Sequence, residues 1–389
     1  MKPVSERIAT TAVFLANGLG IGAWAVEVPR IKEALSLSDT SLGIALFCFA
    51  LGAIVAMPLA GRLAPRFGSG RVTALLGVAF VIGLPLPALA PDFALLCLVL
   101  FALGAANGAL DVSMNGHASA IEGEWQAPIM SSFHAAWSMG GLLGAAGGAA
   151  LQANGIGTMG GLLLPDLVIG VLIVTSAVFA LRDIGPRALA SASGFTLPSA
   201  GVMKLAALAF LCMLVEGAVA DWSAVFLRSA LDTQASAAAL GYSSFAFAMA
   251  ACRVVGDVSV RRLGASVVVA SGGLIAALGL ALVLGYPNVV TACVGFALVG
   301  IGLANIVPVI FSAAGRSTTT PAVGVSMAAT AGYAGFLVGP PLIGLGAGFV
   351  GLRIALCALL LAALIVCLVG GKAVSRAGVK QAAQTRAFD

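Results

Sequence analysis

Residues 95–117 read LLCLVLFALGAANGALDVSMNGH, and the reading of this run decides the fold. It is apolar and long enough to cross a bilayer, which takes about 20 residues. Yet Asp111 sits near its middle, with Asn107 one turn before and Asn115 one turn after. At about 100° per residue the three fall within about 80° on one helix face. An ionised aspartate near the bilayer centre costs roughly 2.5–3.5 kcal/mol on insertion scales. A chain that keeps one is expected to supply a wet cavity or a partner on that face.

Working outward, 60% of the 389 residues are hydrophobic and 9% are charged, against about 25% charged in a typical soluble domain. The 50 glycines lie inside the apolar runs, where small residues let membrane helices approach closely. The net charge of +5 does not point to nucleic acid, because the basic residues sit between apolar runs. Cys48, Cys97, Cys212, Cys252, Cys293, Cys357 and Cys367 all lie in apolar runs without metal-like spacing. They are expected to pack, with no disulfide and no metal.

Apolar runs of spanning length occur twelve times, at about 8–29, 40–60, 72–90, 93–115, 128–151, 162–181, 204–227, 237–259, 265–286, 288–313, 322–348 and 350–371. The expected fold is an all-α polytopic membrane protein of twelve transmembrane helices. Two six-helix bundles, 1–181 and 204–371, flank a polar linker at 182–203, and a basic tail follows at 372–389. The first run lacks a small-residue cleavage site and is expected to be retained. With both termini in the cytoplasm, fifteen Lys and Arg face inward and four outward (Arg30, Lys32, Arg228, Arg353), while Arg253 lies in the eighth run. The positive-inside rule selects that orientation.

The halves repeat each other. Phe101-Ala-Leu-Gly matches Phe296-Ala-Leu-Val-Gly, Gly140 and Gly144 match Gly335 and Gly339, and Arg66-Phe-Gly68 matches Arg262-Leu-Gly264, all at offsets close to 195 residues. Two like-oriented six-helix halves are the parallel repeat of a rocking transporter.

The loop Gly61-Arg-Leu-Ala-Pro-Arg66-Phe-Gly68-Ser-Gly-Arg71 resembles the signature loop of the major facilitator superfamily. Pro65 stands where that signature usually has an acid. The second copy, Gly256-Asp257-Val-Ser-Val-Arg261-Arg262-Leu-Gly264, keeps it. Within the superfamily the chain resembles the bacterial inosamine (rhizopine-type) transporter group, through Asp111-Val-Ser-Met-Asn115, Phe133-His134-Ala-Ala-Trp-Ser, Glu216-Gly-Ala-Val-Ala-Asp221-Trp222 and Gly332-Tyr333-Ala-Gly-Phe-Leu-Val-Gly339-Pro340. It is also similar to fucose-type proton symporters, which place one acid on the first helix and one on the fourth, as Glu27 and Asp111 are placed here. The resemblance implies the major facilitator fold, secondary active transport, and gating by Gly61, Arg66, Gly68, Arg261 and Arg262.

On the first helix Asn17, Gly20, Trp24 and Glu27 share one face. Glu27 reads either as a cavity acid or as an interfacial carboxylate paired with Arg30. Ser131, His134 and Ser138 share a face of the fifth helix, where His134 is a proton acceptor near neutral pH or a helix–helix donor. Glu216 lies mid-helix in the seventh run, with Asp221 and Trp222 further out. Asn305 precedes Pro308, which frees backbone carbonyls, and Ser326, Thr330 and Tyr333 form a polar face on the eleventh run. Trp24 and Trp222 suit either ring stacking or the interfacial belt. Arg253 and Asp257, one turn apart, are expected to pair and lock an inner gate. Glu122 and Glu124 are expected in a solvated loop.

Asp111 is the expected proton carrier, because its neutral asparagine neighbours leave its charge uncompensated; Glu27 and His134 complete the coupling set. Asn17, Trp24, Asn107, Asn115, Ser138, Glu216, Asn305, Thr330 and Tyr333 are the expected substrate contacts. Asn17, Asn107, Asp111, His134, Glu216, Asn305 and Tyr333 are expected to converge on one central chamber. The expected activity is proton-coupled symport of a small polar solute (a sugar, inositol or amino-polyol) by alternating access across the bacterial inner membrane. The alternative is a proton-coupled antiporter exporting drugs or metabolites. Such exporters usually carry an arginine in the fourth helix, absent here, and a glycine-proline signature in the fifth, where Ala145 stands. With two histidines and no His-Glu-x-x-His, an enzyme is not expected. The expected partners are solute, protons and lipid, with no cofactor and no nucleic acid, and the chain is expected to act as a monomer.

Overall fold

The computed structural model describes residues 4–37, 39–179, 181, 199–230, 235–286, 288–318 and 320–385. Every apolar run contains a helix, and no strand occurs among the described residues. The first half carries α1 (Val4–Ala34), α2 (Asp39–Phe67), α3 (Ser69–Gly83), α4 (Phe93–Trp125), α5 (Met130–Ala153) and α6 (Thr158–Phe179). The second carries α7 (Ala200–Ala230), α8 (Ala235–Val254), α9 (Gly256–Leu263), α10 (Ala265–Gly285), α11 (Val289–Leu303), α12 (Ile306–Arg316), α13 (Pro321–Val350), α14 (Leu352–Ala355) and α15 (Cys357–Thr385).

Local chemistry sets several boundaries. Asp92 caps α4 by accepting from Leu95 N at 2.9 Å. Asn288 and Thr291 form a capping box at the start of α11. α4 ends at Gln126, in the left-handed region at φ 55°, with Pro128 two residues on to prevent resumption. α4 therefore runs ten residues past its expected end at 115. Glu122 and Glu124 lie on its last turns rather than in a loop, and Glu122 is buried. Gly68 and Gly264 make the turns into α3 and α10 at φ 96° and 82°, a conformation that favours glycine.

Among the described residues, ten helices are long and apolar enough to cross a membrane, or eleven when α8 and α9, bent by 59°, count as one span. The remaining run is α5, 24 residues long, whose Ser131, Ser132, His134, Ser138 and Gln152 lower its mean hydropathy. α6 is apolar on both faces: Leu162, Ile169 and Ile173 are buried while Leu167, Val171, Val174 and Val178 are exposed. A helix that is hydrophobic all round suits a lipid surround.

The chain divides into two compact units. The first holds Met1–Gln126, Phe133–Phe195 and Thr320–Ser326; the second holds Ala127–Ser132, Thr196–Thr319 and Met327–Asp389. In the first, α2 and α3 pack on α4, and α1 and α3 pack on α6. In the second, α10 packs on α11 and α15, and α8 packs on α7 and α11. The repeat reappears as matching backbone contacts. A methyl group added at Gly140 or Gly144 would fall on the carbonyl oxygen of Leu15 or Leu19, and one added at Gly335 or Gly339 on that of Phe210 or Leu214. Each of these positions is displaced by 195 residues from its counterpart. The linker expected at 182–203 lies outside the described residues as far as 198, and its last four residues already belong to α7. The tail expected from Lys372 continues α15 to Thr385.

Candidate functional site

In the first unit the glycine contacts bring α1 against α5, and the polar stripe of α4 meets both. Asn17 Nδ2 donates to Asn107 Oδ1 at 2.8 Å, and Trp137 Nε1 donates to Asn17 Oδ1 at 2.9 Å. Both ends of the Asn17 amide are thereby used, which fixes its orientation. The amide nitrogen of Asn107 has no partner among the described residues.

Two turns along α4 from Asn107, Asn115 Nδ2 donates to the Asp111 backbone oxygen at 2.9 Å and to Asp111 Oδ1 at 3.2 Å. Asn115 Oδ1 lies 3.1 Å from His134 Nε2. Since the Asn115 nitrogen is spent on Asp111, its oxygen accepts, and the proton sits on His134 Nε2. His134 is tilted against Phe14 at 5.6 Å between ring centroids, and Phe14 stacks on Phe133 at 5.4 Å. Asp111 Oδ2 is buried and has no hydrogen-bond partner among the described residues. Asp111, Asn115 and His134 thus form one chain of contacts, beside the Asn17–Asn107–Trp137 set.

Glu27 is placed elsewhere. It is fully buried, ion-paired to Arg30 at 3.3 Å, and accepts from Gln152 Nε2 at 3.2 Å. Arg30 also donates to Ile156 O at 2.9 Å. This cluster ties the end of α1 to α5 and the turn into α6, roughly 15 Å along α1 from Asn17. Of the two readings of Glu27, its contacts match the pairing with Arg30. Trp24 is buried on the same helix and Ser138 is half-buried on α5.

In the second unit Glu216 Oε1 lies 3.8 Å from Arg253 Nη2. Arg253 Nε donates to Ala304 O at 3.2 Å, and Asn305 Nδ2 donates to Cys252 O at 3.2 Å. Arg253 and Asp257, expected as a pair, stand on opposite sides of the bend between α8 and α9. There Asp257 Oδ1 accepts from Ser132 N at 3.1 Å. Thr330 Oγ1 is buried without a hydrogen-bond partner among the described residues, and Tyr333 is half-buried on α13. Trp222 Nε1 donates to Pro340 O at 3.0 Å, a contact between α7 and α13. Arg66, Arg261 and Arg262 are exposed beside the turns at Gly68 and Gly264, while Gly61 lies against Ser326 within the first unit.

The sequence reading passed over three polar side chains. Trp137 was visible as the residue three after His134, on nearly the same face. Asp166, adjoining Pro165 in α6, is buried with Oδ1 unpartnered among the described residues. His117 is fully buried and bonds Ser69 Oγ through Nδ1 at 2.8 Å, next to a Thr73–Ser113 hydroxyl pair at 2.7 Å. No group of three or more metal-binding side chains occurs among the described residues.

A family profile described as the Major Facilitator Superfamily matches residues 10–215. An uncharacterized MFS-type transporter of Yersinia pestis is 37% identical over 342 residues, 88% of each chain. The membrane protein MosC of Rhizobium meliloti is 36% identical over 373 residues, 93% of this chain and 89% of its own. Among solved structures, the E. coli fucose:proton symporter FucP superposes with a TM-score of 0.78 at 14% identity, over 97% of this chain and 99% of that one.

Proposed function

This chain belongs to the Major Facilitator Superfamily, and from that premise we propose that it is a proton-coupled symporter of a small polyhydroxylated or amino-bearing solute. It is a multi-pass membrane transporter and not an enzyme. The observation that carries the reading is the unequal treatment of three intramembrane acids. Glu27 has Arg30 and Glu216 has Arg253, whereas among the described residues Asp111 has only the neutral amide of Asn115 beside it. A carboxyl without a basic partner is where a proton, or a solute ammonium group, changes the charge balance most. Asn107 one turn away offers an unused amide donor, so a solute hydroxyl can accept from Asn107 while a neighbouring donor meets Asp111 Oδ2. His134, held through Asn115, is the second group of the coupling set.

Transport proceeds by alternating access. The excess of Lys and Arg in loops on one side supports insertion in the bacterial inner membrane with both termini cytoplasmic. The test is a thermal-shift screen of the purified protein against sugars, inositols, amino sugars and lipophilic cations. Uptake of any hit into proteoliposomes with and without an inward proton gradient follows. Selective stabilisation by a polyol, with gradient-driven accumulation, is the expected result. Broad stabilisation by lipophilic cations, with gradient-driven expulsion, would establish export instead.

A further inference from the structure

α8 stops at Val254 and the chain resumes as α9 after a bend of 59°, with Val255 between them at φ −93°, ψ 2°. α11 stops at Leu303, and Asn305, at φ −110°, ψ 0°, precedes α12. The second break has a cause in sequence. Pro308 has no N–H, so the carbonyl of Ala304, four residues earlier, lacks a donor within its own helix.

Arg253 supplies that donor, with Nε 3.2 Å from Ala304 O. The favour runs the other way as well. Asn305 Nδ2 donates to the carbonyl of Cys252 at 3.2 Å and approaches Cys252 Sγ at 3.6 Å. Among the described residues Cys252 O otherwise takes only a turn bond, from Val255 N at 3.3 Å. Neighbouring residues at one break therefore cap neighbouring residues at the other, crosswise, and both capping side chains are buried. The Arg253 guanidinium also faces Glu216 on α7 at 3.8 Å.

We propose that Arg253 is a positioning residue that ties the charge of Glu216 to the bends in α8 and α11, so that neutralising or engaging Glu216 loosens both breaks together. A buried guanidinium needs an anion beside it, and Glu216 supplies one at 3.8 Å. Without that charge the guanidinium swings toward water and Nε leaves Ala304 O. The α11 break then shifts, and Asn305 loses its register on Cys252. The pair is open to competition: 3.8 Å is longer than the roughly 2.7–2.9 Å of a close charge-assisted bond, and Glu216 keeps 18% of its side chain exposed. The coupling depends neither on the identity of the solute nor on protons being the coupling ion.

Cys252, half-buried within the clasp, reports on it directly. The full-length protein, with its other six cysteines replaced by serine or alanine, is treated with N-ethylmaleimide, and the labelling rate at Cys252 is measured. Glu216→Gln, Arg253→Lys and Asn305→Ala are compared with the parent. Arg253→Lys keeps the charge but loses the planar Nε donor, and Asn305→Ala removes one cap without changing any charge. All three should speed labelling about tenfold, as expected for a locally opened segment. A matching set that retains only Cys212, buried one turn from Glu216, separates local opening from general unfolding and should stay slow. Labelling of Cys252 within about twofold of the parent in Glu216→Gln would overturn the proposal, since the ion pair would then be a static contact. Equal acceleration at Cys212 would overturn it too, because the variants would be unfolding rather than opening at the breaks.

Discussion

Side chains of one chemical type behave differently here according to what neutralises them. Glu27 is held by Arg30 and Gln152; Asp111 has an amide neighbour and a buried, unpartnered oxygen. Asp166 is also buried with an oxygen unpartnered among the described residues, where it has no counterpart of the link to a histidine that Asn115 gives Asp111. Replacing Asp111 with Asn fixes a neutral side chain of the same shape. Gradient-driven accumulation should be lost, while ligand binding in detergent and equal exchange across the membrane persist. Accumulation at the parental level would reassign Asp111 to a structural role. Glu27→Gln should do the reverse. It removes an anion from a buried clasp, so thermal stability should fall, by about 1–3 kcal/mol for a broken charged hydrogen-bond set, while proton dependence survives. Loss of proton coupling in a variant of unchanged stability would place Glu27 back in the coupling set.

Pairs of elements meet where glycine removes a side chain. Gly140 and Gly144 let α5 touch the backbone of α1, and Gly335 and Gly339 let α13 touch α7 in the same register. Gly140→Leu and Gly335→Leu should each lower the thermal midpoint, at a cost of about 1–3 kcal/mol or more for an overpacked contact; a midpoint unchanged in both would show that these backbones can separate freely. These pairs were legible in the sequence because the 195-residue offset keeps both glycines of each contact in phase. So was the break at Asn305, which Pro308 announces. The contact of Arg253 with Glu216, on another helix, was not legible, because helical spacing points only along the same chain, to Asp257 four residues on across the bend. Periodicity reports faces along one helix and is silent about which distant face is turned toward it. The extent of α4 was missed for a different reason. Hydropathy falls at Glu122 and Glu124, whereas helix propensity persists to Gln126.

For the molecule as a whole, the count of basic residues predicts an orientation that can be measured. Phosphatase and fluorescent-protein fusions at residues 192 and 389 should both report the cytoplasm, with fluorescence and no phosphatase activity. Phosphatase activity at either site would overturn the arrangement of six spans on each side of the linker with both termini inside. The linker and the tail are where that test is placed, because each follows a complete set of six expected spans. A miscounted run in the first half would invert both reporters, whereas one in the second half would invert only the reporter at 389.

α5 is the expected run that yields no stretch apolar enough to count as a membrane span among the described residues, and this has a consequence for biogenesis. A segment carrying His134, Gln152 and three serines is a poor substrate for the translocon on its own. What favours it in the finished bundle, a seam of glycine against the backbone of α1, exists only after α1 is already in the lipid. Membrane entry of α5 should therefore depend on its neighbours. In a glycosylation-mapping reporter the isolated segment 130–153 should insert poorly beside the isolated segment 158–179, and equal insertion of the two would refute the dependence. The same assay sets two demands on one residue in opposition. Gly140→Leu, which harms the folded contact, should improve insertion of the isolated α5, since a leucine favours lipid entry where glycine favours the later fit.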